Sequence, residues 1–416
     1  MRAVRPAPVV IDDLAAPRFP PEAEPIRAAM ADMGTAVSLE PDALVAVAVA
    51  ETGLDDFGDD RFRSHLEMAC RSLREEAGLG SAGVAAAFVQ LTQLLKNRLL
   101  VEDLIRHHPE IEQVEVARPI VICGLPRTGT THLHNLIAAD PAMRSLPYWE
   151  SEQPVVAEYA PDERVANTAA ALDVVNTALP HFKRMHEMTP EHVHEEINLL
   201  ALDFSSMYFE TMAPMPAWRD HYRATDQRPA YRYLKRVLQA LQWLRGGERW
   251  VLKSPQHLEQ FPALLEVFPD ATFVVTHRDP VAVTASLATM MTYLARLNLE
   301  PVDPVAIGGY WAARLEAMLR TCVETRDVLP AERSIDVRFK EFMADDVAMV
   351  ERIYAIAGQP FDDGVRRAMD AFMADHPRGR HGGIVYDLAQ FGLDRAERRA
   401  ALQFYVDRFG VEVEDS

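Results

Sequence analysis

One stretch of the chain combines the residue types and the spacing that bind an anion. An apolar run at residues 120–123 meets the sequence GLPRTGTT at residues 124–131, and apolar residues then follow at helical spacing. Glycines let the backbone approach an anion closely, successive N–H groups converge on it, and a helix N-terminus carries about half a positive charge. The pattern predicts a strand, a phosphate-binding loop and a helix. The anion-binding residues it predicts are Gly124, Pro126, Arg127, Thr128, Gly129, Thr130 and Thr131.

The loop differs from that of nucleoside triphosphatases at one chemically important position. The spacing G-x-x-x-x-G is kept, but Thr130 follows Gly129 where a Walker loop has lysine. Without that lysine, the β- and γ-phosphates of a triphosphate and their magnesium ion are poorly served. Arg127 is the fixed cation of the loop, and its guanidinium can bind two oxygens of an anion at once. The loop therefore fits an anion that is shorter than a triphosphate.

Two further motifs place charged residues directly after predicted strands. The β-rich apolar run at residues 271–276 leads to Arg278 and to Asp279, a candidate helix N-cap. A third apolar run, at residues 249–252, leads to Lys253. Because the carboxyl ends of parallel strands form the ligand crevice of an open sheet, we expect one cleft to hold all three motifs.

The three motifs together resemble those of the sulfotransferases that use 3′-phosphoadenosine 5′-phosphosulfate (PAPS). The loop is similar to the family's 5′-phosphosulfate loop, with Arg127 where tyrosylprotein sulfotransferases and many bacterial members also carry arginine. The family's 3′-phosphate motif has a serine eight positions after its arginine, a separation that Arg278 and Ser286 share. Lys253 matches a family lysine near the leaving oxygen, whereas His257 comes two residues later than the catalytic histidine of the cytosolic enzymes.

The resemblance covers residues 119–395 and implies a function. Residues 376–383 look like the late basic-glycine loop that closes the 3′-phosphate site, which makes Arg380 and Gly382 candidate nucleotide-binding residues. The implied reaction is transfer of a sulfuryl group from PAPS, as cosubstrate, to a hydroxyl of a small acceptor, without a metal. Aromatic and methionine side chains are frequent at residues 180–222, and part of them could line an apolar acceptor cavity.

Four residues are candidates for the general base that takes the acceptor's proton. His257 follows Lys253 closely, Glu195 and Glu196 are adjacent acids, and Glu150 lies past the loop helix, at a distance similar to that of the catalytic glutamate of the tyrosylprotein enzymes. The predicted catalytic residues are Arg127, Lys253, His257 and Glu195. Four histidines at positions 181, 186, 192 and 194 lack the spacing of a zinc protease motif, so no metal site is predicted.

Composition agrees with a folded enzyme and excludes some partners. The chain has 416 residues, of which 49% are hydrophobic and 25% charged, and its net charge is −19. That charge disfavours nonspecific binding of nucleic acid or of anionic membranes. The three cysteines are widely separated, the N-terminal residues lack a signal-peptide core, and no apolar run reaches the roughly 18 residues of a membrane span. We expect a soluble, cytoplasmic protein with no stable membrane insertion.

The predicted fold is α/β, with a central, mostly parallel sheet flanked by helices. We expect residues 1–118 to form an N-terminal helical region. The resemblance implies that residues 119–416 form a sulfotransferase domain, in which a helical insertion at 142–245 would shape the acceptor site. A stripe of leucines lies in the N-terminal region: Leu91, Leu94, Leu95, Leu99 and Leu100. This stripe is interpreted as core packing, with a homodimer contact or a membrane-surface helix as alternatives.

Two other functions stay open. A nucleotide or small-molecule kinase on the same loop predicts a lysine after Gly129 and a magnesium-binding acid, and neither is evident. A noncatalytic module that binds PAPS or its product would keep Arg278 and Ser286 but could lose Lys253 or the base. All the cationic groups are present, which favours the enzyme.

Overall fold

A five-stranded parallel sheet forms the centre of the molecule in the computed structural model, which describes residues 6–157 and 160–414. The strands are β1 (Ile120–Cys123), β2 (Met143–Arg144), β3 (Arg249–Ser254), β4 (Thr272–His277) and β5 (Ser334–Arg338). Their order is β2-β3-β1-β4-β5, and every neighbouring pair is parallel. The predicted α/β class is therefore confirmed. The first residues of the predicted N-terminal region, 1–5, lie outside the described part of the chain.

The three central strands are the ones that the apolar runs predict. All residues of β1, β3 and β4 are buried, as expected for parallel strands that helices cover on both faces. β1 lies between the other two, with Ile120 opposite Val251 on one side and Thr272 on the other. The carboxyl ends of the three strands therefore meet at one edge of the sheet, where the three charged motifs follow.

Helices make up most of the remaining chain. Four precede the sheet: α1 (Glu24–Ala36), α2 (Pro41–Thr52), α3 (Phe62–Glu75) and α4 (Ser81–His107). Seven lie between β1 and β4: α5 (Thr130–Ala138), α6 (Tyr148–Glu152), α7 (Arg164–Ala178), α8 (Ile197–Leu200), α9 (Pro216–Ala224), α10 (Arg228–Arg245) and α11 (Phe261–Val267). Six follow β4: α12 (Pro280–Ala295), α13 (Pro304–Thr325), α14 (Phe339–Ala344), α15 (Asp346–Ala357), α16 (Asp363–Asp375) and α17 (Arg395–Phe409).

The N-terminal helices pack onto the rest of the protein through the predicted leucine stripe. Leu91, Leu94, Leu95 and Leu99 on α4 are buried, and Leu100 is partly buried against the same core. This core continues through α10 and reaches one face of the central strands, where it includes Val121 and Leu252. The interpretation of the stripe as core packing is confirmed.

The segment 142–245 is mainly helical, with one difference from the prediction. It begins with β2, a strand of two residues that pairs with β3 at the edge of the sheet. Helices α6 to α10 then follow, separated by 3₁₀ turns that include Phe182–Arg184 and Met207–Thr211. In the described residues, no single helix has the length and apolarity of a membrane span; Pro21–Ala36 and Pro41–Thr52 reach them only as a pair, bent by 110°.

Candidate functional site

A cavity of about 390 Å³, here called the basic cavity, opens at the carboxyl edge of the sheet. Six permanently charged cations line it: Arg127, Lys183, Arg184, Arg278, Arg378 and Arg380. Glu187 is the carboxylate in the same lining. The cavity therefore concentrates positive charge in a protein whose net charge is −19, and such a field suits a small polyanion.

The loop between β1 and α5 forms one wall of the basic cavity. Gly129 has a φ of 89° and Arg127 a φ of 70°, left-handed backbones that turn the chain sharply into α5. A Cβ atom on Gly124 would lie 1.9 Å from the Thr276 Oγ1 atom, so only glycine fits this close approach to β4. The Thr128 hydroxyl donates to the Leu125 carbonyl at 2.7 Å and bonds Thr276 at 2.8 Å. Gly129, Thr130 and Thr131 line the cavity, whereas the buried Gly124 and Thr128 hold the loop's shape.

Arg127 is positioned by neutral groups. Its Nε donates to the Ser286 hydroxyl at 3.0 Å, one terminal nitrogen donates to the Met185 carbonyl, and the other lies 3.4 Å from the Tyr386 hydroxyl. No carboxylate pairs with it among the described residues, so its charge is available to an anion. Ser286, predicted to bind the same nucleotide, here orients this arginine.

Arg278 meets the loop directly. Its guanidinium donates to the Arg127 carbonyl at 2.8 Å, which joins the two motifs that flank the insertion. It also forms a bidentate ion pair with the Glu414 carboxylate, at 2.7 and 2.8 Å, and stacks over the Phe339 ring. Asp279 is the N-cap of α12, as predicted. The guanidinium groups of Arg127 and Arg278 line the same cavity. The Arg278 group is paired with the side-chain carboxylate of Glu414.

The late basic-glycine loop closes the other side of the basic cavity. Arg380 and Gly382 both line it, and Arg380 pairs with Glu187. Lys183 and Arg184, on the 3₁₀ turn after α7, add two cations that no motif predicted. An adjacent Lys-Arg pair in a helical segment is a common surface pattern, so nothing local distinguished them.

A second cavity, of about 350 Å³ and here called the apolar cavity, adjoins the first. Its walls are mainly aliphatic, aromatic and methionine side chains from α7, α12 and the turn at Met207–Thr211, with Pro126 and Pro255 beside them. Arg127, Thr130 and Thr131 line both cavities. The anion-binding loop is therefore the common wall between a polar and an apolar compartment.

Lys253 and Glu195 form an ion pair at the apolar cavity. Lys253 is buried at the end of β3, and its ammonium contacts the Glu195 carboxylate. Glu195 lines the cavity, with 19% of its side chain exposed. Lys253 itself is absent from the lining of both cavities and lies behind Glu195. The predicted catalytic lysine is thus near the site, with an acid between it and the cavity.

Three of the four candidate bases lie outside both cavities, and two of them, His257 and Glu196, form a pair. His257 is fully buried between the Glu196 carboxylate and the Tyr231 hydroxyl, 2.8 Å from its Nδ1, so an acceptor in either cavity does not reach it. Glu196 also accepts the Lys253 backbone N–H at 2.8 Å. Burial opposes its ionisation, but His257 and these hydrogen bonds lower the pKa of Glu196. The pair therefore braces the end of β3, contrary to the expectation that His257 faces the cleft.

Glu150 is also removed from the candidate bases. It is completely buried and bound to Arg144 at 2.6 Å and to Arg245 at 3.0 Å. It lines neither cavity. This arrangement ties α6 to β2 and α10, which is a structural role.

Three histidines cluster beside the apolar cavity. The ring nitrogens of His186, His192 and His194 lie within 4.8 Å of one another, which makes them the candidate metal ligands of the described residues. Burial, with a contribution from the Lys253 ammonium, lowers the pKa of all three, and neighbouring histidines add to the shift of His186 and His194. The Lys253 ammonium that contributes to this shift also repels a divalent ion. Neutral imidazoles can form hydrogen bonds with a polar ligand, and the neutral form is also the one that binds a metal.

Comparison with known proteins gives a consistent result. A model described as "Sulfotransferase family" matches residues 119–363. The chain is 24% identical over 287 residues to omega-hydroxy-beta-dihydromenaquinone-9 sulfotransferase Stf3 of Mycobacterium tuberculosis, with 64% of this chain and 69% of that protein covered. Among solved structures it resembles sulfotransferase STF9 of Mycobacterium avium (TM-score 0.81, 27% identity, 90% and 98% covered). It also resembles sulfotransferase STF1 of Mycobacterium tuberculosis H37Rv (TM-score 0.76, 29% identity, 86% and 97% covered).

Proposed function

The chain belongs to the sulfotransferase family, and from this premise we propose that it moves the sulfuryl group of PAPS to a hydroxyl of a small apolar molecule. One observation carries this proposal: a cationic cavity and an apolar cavity share a wall made by Arg127, Thr130 and Thr131. A sulfuryl donor in the first cavity and an acceptor in the second would meet at that wall.

The nucleotide would bind in the basic cavity by its two anionic ends. The backbone N–H groups of the loop and Arg127 would hold the 5′-phosphosulfate, since a helix N-terminus and a guanidinium both favour it. Arg278 would hold the 3′-phosphate, with Arg380 and Gly382 closing the loop above, and Ser286 would orient Arg127. With Thr130 in the Walker lysine position, the loop lacks the lysine that reaches the β- and γ-phosphates of a triphosphate.

The acceptor would bind in the apolar cavity with its hydroxyl toward Glu195. As the new S–O bond forms, the S–O bond to the nucleotide breaks and adenosine 3′,5′-bisphosphate leaves. Glu195 would take the hydroxyl proton, and Arg127 would neutralise the charge that develops on the transferring and leaving oxygens. Lys253 would act through its ion pair with Glu195. The Stf3 relative is named for an omega-hydroxylated dihydromenaquinone, an apolar molecule with a hydroxyl, and we propose the same broad class here.

The direct test is transfer of label from [³⁵S]PAPS to a panel of hydroxylated apolar compounds. Labelled product with an apolar alcohol or phenol, and none with deoxy analogues, is the expected result. No label transfer to any compound, by protein that binds the nucleotide, would favour the noncatalytic module. We further propose that the protein works in the cytoplasm and without a metal. It is also proposed not to bind nucleic acid, since its net charge of −19 repels polyanions.

Replacing Glu195 by glutamine should remove the base and spare nucleotide binding. The amide cannot accept the hydroxyl proton, so we expect kcat to fall by about 10²–10⁴-fold. Glu191→Gln, an exposed neighbour absent from both cavity linings, is the matched control. Single-turnover transfer from labelled PAPS gives the rate. A wild-type kcat in Glu195→Gln would show that Glu195 is not the base. His186 and His194, which also line the apolar cavity, would then be the next candidates for the base.

Replacing Glu414 by glutamine should strengthen nucleotide binding. Glu414 forms its ion pair with the guanidinium proposed to hold the 3′-phosphate, so the two anions compete for Arg278. Without the carboxylate charge, we expect the Kd for adenosine 3′,5′-bisphosphate to fall about 2- to 5-fold, as a partly exposed ion pair is worth about 1 kcal/mol or less. Glu412→Gln, which removes a tail carboxylate that pairs with Lys340, is the control. Weaker binding in Glu414→Gln would mean that the tail supports the site.

A further inference from the structure

A second acid faces the apolar cavity and has no part in the proposed transfer. Glu152, the last residue of α6, lines the cavity, and its carboxylate accepts from the Asn198 amide. The Tyr148 hydroxyl is its other hydrogen-bond partner. Among the described residues, no arginine, lysine or histidine forms an ion pair with it. Glu150, two residues earlier on the same helix, forms ion pairs with two arginines.

A carboxyl group in this position is unfavourable unless something binds to it. Removing an acid from water without a cation disfavours its charged form, and burial raises the pKa of Glu152 to about 7 despite the hydrogen bonds from Tyr148 and Asn198. The Tyr208 hydroxyl, on the same cavity wall, makes no hydrogen bond with the described residues. An otherwise apolar pocket thus contains a compact group of polar atoms with unused hydrogen-bonding capacity.

We propose that Glu152, Tyr148, Asn198 and Tyr208 form a polar subsite that binds a hydrogen-bond donor carried by the acceptor at a distance from its reacting hydroxyl. This inference rests on the proposed function, because it assigns the apolar cavity to the acceptor. It narrows the acceptor class to apolar molecules with two separated polar groups. One group faces Arg127, Thr130 and Thr131 for sulfuryl transfer, and the other pairs with Glu152.

The position of the subsite supports a recognition role. Tyr148 packs edge-on against His194, with ring centroids 4.7 Å apart, and His194 is next to Glu195 in the chain. The subsite therefore adjoins the reacting end through one aromatic ring. A molecule that spans from the loop to Glu152 would be held at both ends, which fixes its hydroxyl with respect to the donor.

The test uses three probes of equal length, 1-octanol, 1,8-octanediol and 8-amino-1-octanol, titrated calorimetrically with and without adenosine 3′,5′-bisphosphate. Wild-type protein should bind the diol or the amino alcohol on the order of tenfold more tightly than octanol, the value of a hydrogen bond to a charged group. Glu152→Leu should abolish this preference and bind octanol at least as well. Asp173→Leu, an exposed position on α7, should leave the preference unchanged.

Glu152→Gln identifies the donor and guards against misfolding of the leucine variant. Glutamine still accepts from a hydroxyl but carries no charge for an ammonium. A diol preference that Glu152→Gln retains therefore assigns a hydroxyl. An amino-alcohol preference that the wild type shows and Glu152→Gln loses, with no diol preference in either protein, assigns an ammonium. Equal affinities of the wild type for all three probes would overturn the proposal. So would variants that lose turnover of every acceptor without any change in probe affinity, since Glu152 would then act in the chemistry. Failure to bind the bisphosphate would instead count against the proposed function.

Discussion

Arg127→Ala is expected to abolish sulfuryl transfer while leaving the fold intact. The side chain lies on the wall between the two cavities, where charge develops on the transferring group. Loss of one such preorganised group typically costs about 10²–10³-fold in kcat. Its partners are the Ser286 hydroxyl, the Met185 carbonyl and the Tyr386 hydroxyl. None of these is a charge that the substitution would leave unpaired.

Transfer from labelled PAPS and a thermal melt measure the two parts of this prediction. Arg127→Lys should keep part of the activity, since it preserves a positive charge at this position. Arg352→Ala removes an arginine whose side chain is 58% exposed and should change nothing. Near-normal turnover in Arg127→Ala, with saturating nucleotide, would exclude Arg127 from the mechanism.

Arg278→Ala should weaken nucleotide binding by about 2–5 kcal/mol, the usual loss when one partner of a close charge pair is removed. This free energy corresponds to about 30- to 5,000-fold in Kd. The guanidinium lines the basic cavity and donates a hydrogen bond to the Arg127 carbonyl. The variant therefore loses both the contact with the phosphate and the hydrogen bond that supports the loop. Glu414 is 22% exposed and can be hydrated when its partner is gone.

Isothermal titration with adenosine 3′,5′-bisphosphate measures the loss, and the Glu414→Gln variant makes the assignment specific. If both residues act at the 3′-phosphate, the gain from Glu414→Gln should disappear in the Arg278→Ala background, as expected for coupled neighbours. Unchanged affinity in Arg278→Ala would mean that the 3′-phosphate binds elsewhere. If the effects of the two substitutions on binding free energy were additive instead, Glu414 would not act at the site where Arg278 binds the nucleotide.

The central strands could be predicted because each is encoded by a short apolar run of its own sequence. β1, β3 and β4 are continuous apolar runs, and a strand buried on both faces needs little else. The two edge strands were missed for reasons that are also local. β2 has two residues. β5 alternates buried and exposed positions, with Asp336 and Arg338 facing out, so its apolar content is low.

The site was predictable where one segment carries a whole motif, and less so where distant segments meet. Arg127 and Arg278 each follow a strand, so their shared cavity followed from the sheet. The burial of His257 depends on Glu196 and Tyr231, 61 and 26 residues away, which no local pattern records. The same holds for Glu414, 136 residues from Arg278. Glu152 was missed because a single acid on a short helix has no distinguishing signal.

The central claim is that one cationic cavity binds a nucleotide with a phosphate at each end of its ribose. A thermal-shift titration of the wild-type protein with adenosine 3′,5′-bisphosphate, against ATP plus magnesium, tests it most directly. We expect the bisphosphate to raise Tm in a saturable manner, by mass action on the folded state, and ATP with magnesium to have little effect. Stabilisation by ATP and magnesium alone would contradict the account and favour a kinase.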